Sequence, residues 1–302
     1  MSHNHSHQNG QLSGNRLLFS IVLNIIITVA QVIGGLISGS LALISDAVHN
    51  LSDVISLIIS YIANLLTNNK KQTLHKTFGF KRAEIIAAFI NSATLIIIAV
   101  FLAIEAVKRF NNPQEIGSEI VIWLASIAIL GNGLSVLLLR RDANHNLNMR
   151  SAYLHLITDM LTSVAVLIGG LLMKYYEIYW LDALLTIIIS VYLLYMSWEI
   201  FIDSLKILML FAPSHLKIED IQSEIIAIDE IANIHHVHIW QLNDHDIHFE
   251  AHIQFTNDIS LSEFDSICQK VEKILFENFH INHCNLQPEF DRDDRKELII
   301  QD

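Results

Sequence analysis

Two short patterns in this 302-residue chain set an imidazole and a carboxylate four residues apart: His49 and Asp53 in "LALISDAVHNLSDVISLII", and His155 and Asp159 in "YLHLITDML". Positions four apart on an α-helix lie one turn above each other on one face. Two such helices offer two nitrogen and two oxygen ligands, a set suited to a tetrahedral divalent ion such as zinc. Both pairs sit inside apolar runs, where an unpaired carboxylate costs about 2.5 to 3.5 kcal/mol. A shared cation offsets that cost; a proton relay or a structural hydrogen-bond cluster are the other uses of such groups. An imidazole must lose its proton to bind metal, so protons compete with the ion and a proton-for-metal exchange follows if the site opens alternately to each side.

Other polar groups are less sharply defined. Asp46, three residues before His49, reaches the same face, and vestibule lining, transient ligation and a helix-start role all remain open. Asn24 lies in the first apolar run, facing either the ion path or a neighbouring helix. His75, in a basic loop without a nearby carboxylate, is a peripheral ligand or a solvated residue, and His3, His5 and His7 form a flexible metal-catching tract.

Positioning these groups requires helices in a membrane. The chain is 52% hydrophobic and only 17% charged, too apolar for an ordinary soluble domain. Six segments approach the length needed to cross about 30 Å of hydrocarbon: 17–38, 41–66, 83–107, 120–139, 154–173 and 180–202. The polar stretch 1–15 lacks a signal-peptide pattern. Lys70, Lys71, Lys76, Lys81 and Arg82 lie between the second and third segments, and Arg140, Arg141 and Arg150 between the fourth and fifth. Only Lys108, Arg109 and Lys174 lie on the other side, so both termini are expected in the cytoplasm. Gly34, Gly35, Gly169 and Gly170 read as points of close helix contact.

A second region starts at Pro213. Residues 213–302 hold 19 of the 31 acidic side chains and 6 of the 19 basic ones, which excludes a basic nucleic-acid surface. The expected elements are a helix over 214–229, strands over 234–242 and 247–255, a helix over 260–279 and a short strand over 284–287. The fold class is thus an α-helical membrane protein with six transmembrane helices plus a cytoplasmic α+β domain, ferredoxin-like with αββαβ order. The domains are a flexible tail at 1–15, a transport domain at 16–212 and a metal-binding, dimerisation domain at 213–302. Helices on one sheet face leave a face or edge for a second copy to cover.

Strand alternation puts His236 and His238 on one face and His235 on the other. His252 and His283 are expected to converge with His235, with Glu289 or Cys284 as further ligands, while His245 and His248 beside the turn read as solvent groups. Cys268 and Cys284 form no CxxC motif and suit a reducing compartment.

In combination, "SLALISDAVHNLSD", "HKTFGFKRAE", "NMRSAYLHLITD", "HHVHIW" and "HCNLQPE" make the chain resemble the cation diffusion facilitator family, above all its zinc exporters with HxxxD in two spans. The resemblance covers nearly everything after the N-terminal tract. It implies a homodimer in a membrane, taken as a bacterial inner membrane, that exports cytosolic zinc in exchange for protons under a metal-responsive cytoplasmic domain. By position it implies His49, Asp53, His155 and Asp159 as the transport site, His235, His252 and His283 as cytoplasmic ligands, and a zinc-selective character for His49. The chain departs from the family twice. Phe80 stands where members with a loop site between spans two and three have His, and Leu210 where many carry an Asp that contacts the position of Arg82.

A membrane protein that senses zinc without moving it is the alternative. No HExxH motif suggests an intramembrane metalloprotease, and the polar groups gather at one constellation rather than lining a pore, so neither an enzyme nor a passive channel is expected.

Overall fold

The computed structural model describes residues 8–69, 75–140, 147–243, 246–293 and 295–300, with side chains described in these ranges except at 8–20, 56, 57, 59–69 and 147–152. The N-terminal histidines and His245 lie outside the described residues. Six helices come first: α1 (Gln8–Ser38), α2 (Leu41–Asn69), α3 (Ala83–Asn111), α4 (Ser118–Leu139), α5 (Leu147–Tyr176) and α6 (Trp180–Leu208). Among the described residues, α1, α3, α4, α5 and α6 are long and apolar enough to cross a membrane. The helix α2 carries Asp46, His49 and Asp53.

The chain divides into two compact units, Met1–Tyr61 with Ile90–Ile200, and Ile62–Phe89 with Phe201–Asp302. The ends of α2 and α6 and the start of α3 thus group with the tail rather than with the other helical segments.

In the first unit α4 turns large apolar side chains outward and small or polar ones inward. Trp123, Ile127, Leu130, Leu134 and Leu137 are exposed along one stripe, while Ala125, Ala128, Asn132 and Ser135 are buried. That distribution suits a lipid-facing helix packed by close backbone approach. A Cβ on Gly34 of α1 would run into the Leu124 side chain, and one on Gly170 of α5 would press on Val121 and Ile122, so both helices close on α4 through glycine.

The start of α2 is held with particular completeness. Gly39 takes a left-handed turn (φ 74°) that favours glycine. Ser40 Oγ then accepts the Leu43 N–H at 3.1 Å, and the Ser40 carbonyl accepts the Ile44 N–H. The two remaining donors go to Asp182 of α6, from Leu41 N at 2.9 Å and Ala42 N at 3.3 Å, and Ser40 Oγ also donates to that carboxylate. Ser40 N donates to Ser38 Oγ at 3.3 Å, so the four N–H groups without an intrahelical acceptor, those of residues 40 to 43, are all satisfied, which pins the helix that bears His49.

The second unit contains α7 (Ile218–Ile226), β1 (Ile231–Gln241), β2 (Ile247–Phe255), α8 (Leu261–Phe279) and β3 (His283–Glu289). This is the expected helix, strand, strand, helix, strand order, with α7 shorter at both ends than its apolar period suggests. The strands lie in the order β1-β2-β3, with β1 antiparallel and β3 parallel to β2. Ile221 and Ile225 of α7 and Ile267, Val271 and Leu275 of α8 bury one sheet face with Ile234, Phe249, Ala251 and Ile253. A capping box of Ser260 and Glu263 opens α8. The outer edge of β1 is partly covered within the chain, because His236 N and Val237 N donate to the carbonyls of Glu297 and Leu298.

Strict alternation fails in β1. The register shifts between His235 and His238, and His236 has φ 50°. This bulge leaves Ile234 and His235 consecutively buried and brings the His236 ring within 4.6 Å of the His252 ring.

Candidate metal centres

His49 and Asp53 of α2 meet His155 and Asp159 of α5 in one cluster. His155 Nε2 lies 3.2 Å from Asp53 Oδ2 and 3.5 Å from Asp159 Oδ2. His49 Nε2 lies 3.5 Å from Asp159 Oδ1 and 3.8 Å from Asp53 Oδ2. Ligands about 2.0 Å from a tetrahedral zinc stand about 3.3 Å from each other, so the spacing matches a shared ion. His49 Nε2, Asp53 Oδ2 and both Asp159 oxygens are buried without a hydrogen-bond partner, although they lie close together. Atoms that converge without bonding one another suit a common electrophile better than a network of their own. The site is lopsided: the Asp159 side chain is 0% exposed and that of His155 38%. Tyr192 of α6 sets its ring edge-on to His49 at 5.9 Å.

Asp46 falls outside this cluster. It is 1% exposed, accepts Gln31 Nε2 at 2.7 Å and Ser163 Oγ at 3.3 Å, and so ties α2 to α1 and α5. Asn50 Nδ2 donates to Gln31 Oε1 at 3.1 Å and extends the tie. Asn91 of α3 donates to Ser52 Oγ at 2.8 Å. Sequence reasoning passed over Gln31, Asn50, Asn91 and Asp182, whose signal is the same as that of Asn24: a polar side chain inside an apolar helix. Asn24 itself is buried and serves Thr28, which donates to its backbone carbonyl at 2.8 Å. His75 is exposed in the turn before α3 and belongs to no metal-ligating cluster among the described residues. At the second family departure, Leu210 is exposed and Arg82 Nε is buried without an acceptor among the described residues.

A second cluster takes one residue from each strand of the sheet: His235, His252 and Glu289. Glu289 Oε2 lies 3.1 Å from His235 Nε2, and Oε1 lies 2.8 Å from His252 Nδ1. Arg292 and Lys296 approach the same carboxylate at 3.1 and 3.2 Å. Burial holds His252 below the ordinary imidazole range against the pull of Glu289, and His236, His235 and Arg292 add to the effect, favouring the neutral form that ligates metal. Two imidazoles and a carboxylate suit zinc and leave a fourth position for water.

The expected convergence of His283 with this cluster does not occur. In the parallel ladder His252 pairs with Gln287 and His283 with His248, and four residues of strand separate the two rows by about 13 Å. Cys284 is also displaced, since alternation along β3 turns it toward the core side. Burial, with Glu272 and Cys268, pushes its thiol up to about 12, so it remains a thiol and a poor ligand. His248 is not the solvent group its position beside a turn suggested. It is 6% exposed, stacked on Trp240 and edge-on to Phe78.

A bundle of long apolar helices with a partly buried His2Asp2 cluster, joined in sequence to a small α+β domain, defines a membrane protein that handles cations. Residues 17–209 match the cation efflux transmembrane domain and residues 213–290 the cytoplasmic domain of cation efflux proteins. The chain belongs to the cation efflux family, the cation diffusion facilitators, whose members transport ions and are not enzymes. It is 35% identical over 302 residues to the "Cadmium, cobalt and zinc/H(+)-K(+) antiporter" of Bacillus subtilis, covering 99% of this chain and 96% of that protein. It is 31% identical to the zinc transporter ZitB of Escherichia coli, over 96% of this chain and 93% of that one. Identity to the metal cation efflux system protein CzcD of Cupriavidus metallidurans is 28%, over 94% and 89%.

Proposed function

We propose that this chain exports zinc from the cytosol, exchanging it for protons through His49, Asp53, His155 and Asp159 by alternating access. The observation that carries this is the convergence of four ligand atoms from two helices within 4.8 Å of one another, one carboxylate fully buried and one imidazole open. Zinc appears in the names of the relatives from Bacillus subtilis and Escherichia coli, and antiport in that of the first. The protein is a homodimer of protomers with six spans, α2 joining the five long apolar helices, and a ferredoxin-like cytoplasmic domain, in a bacterial inner membrane. Residues 1–15 are a tail, 16–212 the transport domain and 213–302 the cytoplasmic domain. His235, His252 and Glu289 hold a regulatory zinc, which when bound supplies charge to draw the three strands together.

With both termini cytoplasmic, α2 runs toward the cytosol and α5 away from it. Asp53 and His155 are then the cytosolic members of the site, and their side chains are 29% and 38% exposed against 11% and 0% for His49 and Asp159. Zinc enters from the cytosol between Asp53 and His155 and is drawn onto His49 and Asp159. Binding requires neutral imidazoles, so an acidic compartment on the far side favours release and carries protons back.

The deciding experiment is zinc flux into reconstituted vesicles for the unmodified chain and for Asp53→Ala and Asp159→Ala. Each substitution should cut flux at least ten-fold, because disturbing even a supporting group around a bound metal costs about 10 to 100-fold. Unchanged flux in both defeats the site assignment. Tight binding with no flux in the unmodified chain makes the protein a sensor. Zinc-dependent flux that ignores an imposed pH gradient removes the proton coupling.

A further inference from the structure

The geometry points to a second divalent-cation site in the tail unit, built from His248, His283 and Asp246, in which Lys81 holds the Asp246 carboxylate until metal displaces it.

The sheet face opposite the hydrophobic core carries polar side chains in register. His248 lies beside His283, Glu250 beside Asn285, His252 beside Gln287 and Gln254 beside Glu289. The Glu289 end holds the cluster already described. At the other end the rings of His248 and His283 are 4.5 Å apart, and Asp246 sits two residues before His248, where the strand alternation returns to the same face. Two imidazoles from adjacent strands and a carboxylate from the residue that precedes β2 are a donor set for zinc or a similar transition metal.

The three residues line an open cleft of about 300 Å³ with Phe78 and Lys81, both from the turn that leads into α3. Lys81 Nζ lies 2.8 Å from Asp246 Oδ2. An ammonium group therefore already neutralises the carboxylate as a monovalent stand-in for a cation, and with it in place the donor atoms of Asp246, His248 and His283 are not all within 4.8 Å of one another, so metal must displace it to draw them together. Trp240 of β1, stacked at 5.4 Å, limits the rotation of His248, so part of the entropy of ordering one ligand is spent in folding. Asn243 and Asn282 donate to the two Asp246 oxygens at 3.0 and 3.5 Å and orient the carboxylate. His283 opens β3 and is exposed, which gives an ion a route in.

Metal and Lys81 compete for one carboxylate. Binding therefore releases the turn 75–82, which is covalently continuous with α3, from the β1–β2 hairpin, whereas low metal keeps it latched. This site does not depend on the transport assignment, and it shares no ligand with the Glu289 cluster.

The test uses the full chain in detergent micelles, with bound zinc counted by equilibrium dialysis and backbone hydrogen exchange followed over residues 75–82. His283→Ala should remove one zinc per chain, and Lys81→Met should tighten that same equivalent at least ten-fold. Zinc should speed exchange in the turn at least five-fold in the unmodified chain and leave it unchanged in His283→Ala. Asp159→Ala should subtract a different equivalent and preserve the exchange response, so a failure of the transport assignment remains distinguishable. Unaltered stoichiometry in His283→Ala, with near-native circular dichroism, overturns the site. Zinc that slows exchange in the turn, or unchanged affinity in Lys81→Met, overturns the competition with Lys81.

Discussion

His155 Nε2 stands 3.2 Å from Asp53 Oδ2, closer than it stands to Asp159 on its own helix at 3.5 Å. The cross-helix contact is what turns two HxxxD pairs into one site. Within a pair the helix fixes the separation, but the spacing across the cluster depends on how closely α2 and α5 approach.

Ligand identity at His49 should set metal preference. His49→Asp replaces a nitrogen with an oxygen and removes the His49 contacts to Asp53 and Asp159 at 3.8 and 3.5 Å. Competition between zinc and cadmium in vesicle flux should shift at least five-fold toward cadmium, and an identical preference would count against a selector role.

The carboxylate of Asp46 is a structural tie rather than part of the ligand cluster. Gln31→Leu leaves it without its 2.7 Å amide donor and should cost about 1 to 3 kcal/mol of stability. Thermal melting in detergent reads the loss, while zinc affinity at the four-ligand site should change by less than about three-fold if the tie only holds α2 in place.

Asp182 caps a helix it does not belong to. Asp182→Ala removes the acceptors for Leu41 N and Ala42 N and should destabilise the chain by about 1 to 2 kcal/mol, seen as a lower melting temperature. Asp182→Asn keeps one acceptor oxygen and should recover part of that loss. Equal melting of both variants and the unmodified chain would show that the cap contributes nothing.

At the Glu289 cluster, Glu289→Gln should remove one zinc equivalent and also release Arg292 and Lys296. Chelation of the unmodified chain removes only the metal. Faster hydrogen exchange in β3 after chelation is the expected result, and it should be exceeded in Glu289→Gln, because that variant loses both the ion and its two replacement cations.

Acidification should weaken the Lys81 contact to Asp246 only at low pH. Burial raises the Asp246 carboxyl, but the Lys81 ammonium and the Asn243 amide outweigh it and hold the group below its ordinary value. A depressed carboxyl stabilises the contact above its unfolded value, about 3.9, and the contribution is lost as pH falls through the folded one. Hydrogen exchange in the turn 75–82 should therefore be insensitive to Asp246 titration at neutral pH.

Much of this protein was legible in the amino-acid order because the bilayer makes local signals strong. A buried charge is expensive enough that His49, Asp53, His155 and Asp159 announce themselves, and a fixed 3.6-residue period tells which of them share a face. Strand alternation and turn residues likewise placed the αββαβ order. Register was not legible. Whether His283 lies beside His252 or beside His248 depends on how β3 slides along β2, and a parallel pair joined by a long helix carries no local signal for that offset. The bulge at His236 broke the alternation for the same reason, since one extra residue in a strand is set by its partner.

Tertiary structure alone decided which polar groups gather into candidate ligand clusters and which bond each other. The sequence by itself determined the helices, their apolar faces and the four candidate ligands, through local periodicity and the cost of burying charge. Only packing assigned Asp46 to Gln31 and Ser163, Asp182 to the first turn of α2, and Lys81 to Asp246, because each pairs residues from different elements whose approach depends on the volume and shape of every side chain between them.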